Sequence, residues 1–125
     1  MNFTETRPIY IQIGDYVCEQ ILSEKWKIGE RVLSVRELGA ILEVNPNTVL
    51  RAYDFLQNMD IIANKRGIGY FITEKATDNI MNFRKERFFK EELPEIFKNM
   101  QLLRIEMNEI AEVYKLFKIN NNILH

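Results

Sequence analysis

Histidine and cysteine are almost missing from this sequence: its 125 residues hold one of each. The histidine is the terminal His125, which leaves no partners for a histidine-based triad or a multi-histidine metal site. A single cysteine, Cys18, excludes an internal disulfide framework and fits a reducing cytosol. No cation adjoins Cys18 in sequence to lower its pKa, so it reads as a passive thiol. Long apolar runs are also lacking. Ile61-Ile62-Ala63 is typical, and nothing approaches the ~20 apolar residues of a membrane span. Met1 to Glu5 lack the basic-then-apolar pattern of a secretory signal, so a cytoplasmic protein without membrane contact is expected. There is no nucleophile–base pair, no phosphate-cradling glycine loop and no ligand cluster at metal spacing, and Gly67-Ile68-Gly69 is too short for a nucleotide fingerprint. Neither an enzyme, a metal nor a cofactor is expected. Charge of one sign is missing too: Lys+Arg 17 against Asp+Glu 18 gives a net charge of -1, which by itself points away from a nucleic acid.

What is present suffices for a core. Hydrophobic residues make up 46% of the chain, and the length suits one domain or two small units. All five glycines precede Lys75, whereas the remainder has none and a single proline, Pro94. Residues 1–75 are therefore expected to form one unit of short, varied elements, and 76–125 a helical tail. The expected fold class is mainly α with a small β-hairpin.

Residues 9–24 read as a helix entered through Pro8, with Tyr10, Ile13, Val17 and Ile21 on one face. Cys18 lies off that stripe. Arg31-Val32-Leu33 can supply a short strand at most. Ser34-Val35-Arg36-Glu37 is a capping box, with Leu33 and Leu38 in the staple positions around it, so a helix starts at Val35 and runs through Leu42. Asn45 is a favoured N-cap and Pro46 sits at the first helical position, with Val44 and Val49 as the matching staple, so the next helix starts at Pro46. Two short helices joined by about three residues have helix-turn-helix spacing.

The third helix divides its faces. Val49, Ala52, Tyr53, Leu56 and Met59 share the core side, and Asn47, Arg51, Asp54 and Asn58 the opposite one. Behind it, Ile61–Asn64 and Tyr70–Thr73 flank the basic turn Lys65-Arg66-Gly67-Ile68-Gly69, a hairpin signal. A hairpin directly after a helix-turn-helix is a wing. Asn and Arg can form paired hydrogen bonds with base edges, and Thr48 can bond a phosphate or touch a thymine methyl. Lys65 and Arg66 can meet phosphates or enter the minor groove. A winged helix that grips a partner protein instead of DNA is the competing reading.

Three stretches taken together, Gly29 to Leu38, Val44 to Tyr53 and Arg66 to Ile72, resemble the GntR family of bacterial transcriptional regulators over roughly residues 8–73. The resemblance implies a winged helix-turn-helix that binds operator DNA as a dimer. By position it implies DNA contacts from Arg36, from Asn45, Asn47, Thr48 and Arg51, and from the wing tip at Lys65, Arg66 and Gly67. The sequence departs from the family pattern at Leu33, where proline is usual, at Asp60, where glycine is common, and at Pro46, often an arginine. The last change removes one contact and alters the expected operator. The short tail is similar to that of the YtrA subfamily, in which it serves dimerisation and whose members often govern genes for ATP-driven transporters. A repressor is expected.

The tail supports a homodimer in its own right. Ile96, Met100, Leu103, Met107, Ile110, Ala111, Tyr114 and Phe117 form one apolar stripe, while Leu102, Ile105, Val113 and Leu116 make a second face apolar as well. A tail packed onto its own winged domain is the alternative. Helices are expected near 76–90, 94–103 and 106–118, with Pro94 opening the second. One long helix from Pro94 is equally compatible with the stripe. A dimer interface leaves room for a small-molecule effector that the sequence does not identify. A two-fold dimer predicts an inverted-repeat operator with half-sites about 34–36 Å apart.

Segment by segment, the charge is less neutral than its total. Residues 44–53 carry +1 and residues 61–73 carry +2 within a chain of -1, so the remainder carries -4. Weak non-specific DNA binding is expected, with discrimination resting on Asn47, Thr48 and Arg51.

Overall fold

The structure, a computed structural model, describes residues 6–124, with side chains through residue 121. The readings placed on Met1 to Glu5 and on His125 lie outside the described residues. The chain separates into two compact units, Met1–Arg84 and Lys85–His125.

In the first unit, α1 (Ile9–Leu22) precedes α2 (Val35–Leu42) and α3 (Pro46–Asn58), followed by β1 (Ile62–Lys65), β2 (Gly69–Ile72) and most of α4 (Ala76–Arg87), whose last turn belongs to the second. Helix α1 ends two residues before the expected point because Glu24 turns into the left-handed region at φ 62°. Its buried arc is wider than the four-residue stripe. Ile13, Val17 and Ile21 are in the core, but so are Cys18, which the stripe omits, and Gln12, whose amide donates to the Arg7 carbonyl at 2.8 Å. Helices α1 and α2 both pack on α3, around Val49, Ala52, Tyr53 and Leu56.

Helix α2 starts at the expected residue. The Glu37 N–H donates to Ser34 Oγ at 3.1 Å, and the Ser34 N–H donates to Glu37 Oε1 at 2.9 Å. That second bond, with help from the Ser34 hydroxyl and the nearby Arg31, holds the Glu37 carboxyl below its ordinary value of 4.5. A depressed folded-state pKa contributes stability that is present above the unfolded value and lost as pH falls through the folded one. Thermal melts from pH 7 to pH 3 should therefore show a Glu37→Gln variant losing less stability than the wild type between pH 5 and 3. Identical acid profiles would exclude the cap from acid sensitivity.

The α2–α3 turn is tight. Glu43 closes α2 at φ 58°, and the Val44 N–H donates to the Gly39 carbonyl at 2.9 Å. A Cβ on Gly39 would stand 2.9 Å from the Val44 carbonyl oxygen, so the backbone approach there needs glycine. The Asn45 side chain accepts from the Asn47 N–H at 2.8 Å, which starts α3 at Pro46.

Strands β1 and β2 pair antiparallel, Ile62 opposite Ile72 and Lys65 opposite Gly69. Gly67, at φ 78°, makes the tip, where the Ile68 N–H donates to the Lys65 carbonyl at 2.9 Å. The expected strand at residues 31–33 is reduced to a single bridge, Arg31 with Phe71. Bonds from the Val32 N–H to Tyr70 and from the Ile72 N–H to Glu30 extend it along the edge of β2. The glycine count divides the chain where α4 begins, but packing in this unit runs on to Arg84. Ala76 and Ile80 are fully buried, and the Asn79 amide donates to the carbonyls of Met59 and Asp60, each at 3.1 Å.

In the second unit, the helices expected near 76–90 and 94–103 are not separated. A π-helical segment, Phe88–Glu92, continues without interruption into α5 (Leu93–Leu103). Pro94 has no N–H to offer the Lys90 carbonyl and its ring would crowd it, and a widened turn just before the proline relieves both. Helix α5 then stops. Arg104 adopts φ 57°, and the Ile105 N–H donates back to the Met100 carbonyl at 2.8 Å, a Schellman-type stop. Helix α6 (Met107–Leu124) follows, its start tied by the Glu106 N–H donating to Glu109 Oε2 at 2.8 Å. No described helix is long and apolar enough to cross a membrane.

Candidate nucleic-acid interface

The outer side of α3 is the natural place to look for a ligand-facing surface. With Val49, Ala52, Tyr53 and Leu56 turned inward, Asn47, Leu50, Arg51 and Asp54 occupy one exposed stripe at i, i+3, i+4 and i+7. Asn47 and Arg51 are where the sequence pattern expects them. Leu50 is not, because an apolar residue in a helix is counted with the core by default; here it is 40% exposed. Thr48 is half-buried beside the stripe.

Asn45 stands at the head of α3 with its side-chain oxygen committed to the cap, so only its amide N–H groups can serve another acceptor. The Arg51 guanidinium rests 4.2 Å from the centre of the Tyr10 ring on α1. A cation–π contact is a charge–quadrupole attraction and leaves the guanidinium N–H donors to other acceptors. Tyr10 in turn meets Phe55 edge-on at 6.1 Å. Arg36 is exposed in the first turn of α2.

The wing adjoins this surface through Tyr70, whose ring meets that of Tyr53 at 5.0 Å. Burial, and then the Asp54 carboxylate at the far end of the α3 stripe, push the Tyr70 phenol up from its ordinary value. At the tip, Arg66, Gly67 and Ile68 are exposed, and Lys65 Nζ lies 4.4 Å from the centre of the Phe71 ring. One cation here escapes the sequence pattern. The Arg31 side chain lies across Gly69, where an added Cβ would stand 3.0 Å from Arg31 Nε. Its place beside the wing depends on the long-range Arg31–Phe71 bridge, for which the sequence holds no local signal. Among the described residues, no group of histidine, cysteine, aspartate or glutamate side chains is arranged to hold a metal ion.

In the second unit, neither α5 nor α6 has a buried residue among those whose side chains are described. Of the expected dimerisation stripe, Ile96, Leu103, Met107, Ile110, Tyr114 and Phe117 are all exposed, and Met100 is half-buried. Leu102, Val113 and Leu116 of the second face are exposed as well. At the turn between the helices an open groove of about 810 Å³ is lined by Phe97, Met100, Gln101, Arg104, Ile105, Glu106 and Met107.

Comparison with known proteins agrees with this arrangement. Residues 9–72 match the family described as bacterial regulatory proteins, gntR family. The chain is 34% identical over 116 residues to the HTH-type transcriptional regulator YhcF of Bacillus subtilis (strain 168), covering 93% of this chain and 94% of that protein. It is 35% identical over 108 residues to the HTH-type transcriptional repressor YtrA of the same organism, covering 86% of this chain and 82% of that one. The fold superposes on the crystal structure of a GntR-family transcriptional regulator from Bacteroides thetaiotaomicron with a TM-score of 0.76 and 39% identity, over 91% of this chain and 99% of that one. The helix-turn-helix, the hairpin wing and the short helical tail thus belong together, and the chain is a member of the GntR family of transcriptional regulators, YtrA-like in type, with a DNA-binding winged helix-turn-helix and no enzymatic role.

Proposed function

We propose that this protein binds an inverted-repeat operator as a homodimer in the cytoplasm and represses transcription from it. Helix α3 enters the major groove, and the wing meets the backbone or the minor groove. Asn47 pairs with an adenine edge and Arg51 with a guanine, while Thr48 and the Asn45 amide hold the helix in register. Arg36, Lys65 and Arg66 contact phosphates, and Gly67 lets the wing backbone approach closely. Arg31, beside the wing, joins the phosphate set. The observation that carries this reading is the exposed α3 stripe, backed by a helix face that is wholly core. The homodimer is supported by the uncovered apolar residues of α5 and α6, and repression by the likeness to YtrA, a transcriptional repressor. The groove at the α5–α6 turn is the first place to seek a small-molecule effector.

Fluorescence anisotropy on the protein's own promoter tests the reading. Affinity should fall steeply and log-linearly with salt as counterions are released. Arg51→Ala should cost about 1–3 kcal/mol and relax preference at one base position. Arg66→Ala should weaken all sequences evenly and reduce the salt slope by about 1 per subunit. An Arg51→Ala variant with full affinity removes Arg51 from the site. Flat salt dependence, with no preference for the promoter over random duplex, would favour a protein-gripping winged helix instead.

A further inference from the structure

We propose that Leu50 reads the 5-methyl group of an operator thymine, making this apolar side chain a specificity-determining residue of α3. The proposal rests on the reading that α3 lies in the major groove. Leu50 is 40% exposed on the stripe it shares with Asn47, Arg51 and Asp54, on the side of the helix away from Val49, Ala52, Tyr53 and Leu56. Its neighbours on that surface are partly engaged within the protein. The Asn45 oxygen is taken up by the cap, and the Arg51 guanidinium rests on Tyr10 of α1. Leu50 is the one apolar side chain on the stripe it shares with Asn47, Arg51 and Asp54.

The chemistry of the groove then restricts what can face it. Base edges in the major groove present nitrogen and oxygen acceptors, amino donors and one apolar group, the thymine methyl. A leucine can neither donate nor accept. Seated against cytosine N4, adenine N6 or guanine O6, it would strip water from a polar atom and return no hydrogen bond, which is unfavourable. Seated against a thymine methyl, it removes apolar surface from water on both sides. Leu50 thus selects by favouring one base and by penalising the other three. Thr48, which is half-buried, and the exposed Pro46 ring at the head of α3 can also touch a methyl, and the Leu50→Ala variant separates them from Leu50.

The test replaces thymine by deoxyuridine, which removes the methyl and keeps the pairing. Selection from random duplexes defines the preferred site. Each thymine of a half-site is then changed singly to deoxyuridine, and the full chain is titrated by anisotropy as wild type, Leu50→Ala and Leu50→Met. One position should weaken the wild type about four-fold, the value of one methyl group withdrawn from water. The same exchange should leave Leu50→Ala unchanged and still weaken Leu50→Met. Because Leu50 is exposed, Leu50→Ala should melt as the wild type does. The proposal is overturned if no deoxyuridine weakens the wild type, or if Leu50→Ala shows the same loss, which would assign the methyl to another side chain. A selection that yields no preferred duplex overturns the groove reading itself, so the two failures are distinct.

Discussion

Tyr53→Ala should cost the first unit about 3–5 kcal/mol, a large share of what a domain of this size has. Tyr53 is fully buried. Its hydroxyl donates to the Leu33 carbonyl at 2.6 Å, and its ring meets Tyr70 edge-on. One side chain thus ties α3 to the residue before the α2 cap and to the wing, the three elements that make up the proposed interface. Truncation leaves a cavity and a carbonyl without its donor. Burial holds the phenol well above its ordinary value, so the hydroxyl stays a donor across the neutral range. Tyr53→Phe isolates the hydrogen bond and should cost about 1–2 kcal/mol in urea titrations, with the salt slope of DNA binding unchanged. A Tyr53→Ala variant within 1 kcal/mol of wild type would show that the three elements are held together elsewhere.

The elements that could be read from the sequence are those whose signals are local. Val35 and Pro46 start their helices where Ser34–Glu37 and Asn45-Pro46 place them, because a cap is closed by residues within three positions of each other. Asp60 is instructive. It stands where the resemblance expects glycine, and the structure puts it at φ 57° with its carbonyl accepting from Thr73 Oγ1 at 2.7 Å. The left-handed turn is kept, and a residue that tolerates it replaces the one that favours it. The helix stops at Glu24 and Arg104 have no such marker. Both residues are left-handed without being glycine, and at Arg104 the apolar stripe runs straight through the break. The π-helical segment at Phe88–Glu92 could not be read either, since Pro94 usually marks a helix start, not a strained turn inside one.

The same division holds at the interface. The exposure of Asn47 and Arg51 was legible because polar residues opposite a core stripe are conspicuous. The exposure of Leu50 was hidden because binary patterning assigns apolar residues inward. Arg31 was hidden because only strand pairing with Phe71, 40 positions away, brings it to the wing. The Arg51–Tyr10 contact likewise depends on how α1 packs against α3, which periodicity does not encode.

Placing aspartate at both Ile110 and Phe117 should convert the protein to a monomer at micromolar concentration and lower operator affinity by two to four orders of magnitude. Both residues are exposed on α6, 37% and 60% respectively, in line with Met107 and Tyr114 at helical spacing. In a dimer that covers them, each aspartate would be a desolvated charge without a partner, at a cost of about 3–5 kcal/mol. The effect on DNA exceeds the loss of contacts in the tail. Two linked winged domains engage the second half-site at the high effective concentration set by their tether, and a monomer forfeits that advantage without losing a single base contact of its own. It should also halve the salt slope, because it neutralises half as many phosphates. Light scattering and salt-dependent anisotropy on the same preparations separate the two effects, and Glu112→Gln, an exposed change off the stripe, is the control expected to leave both unaltered. If the double variant stays dimeric, the interface lies elsewhere; if it becomes monomeric but keeps full affinity and slope, the operator is read by one subunit and need not be an inverted repeat.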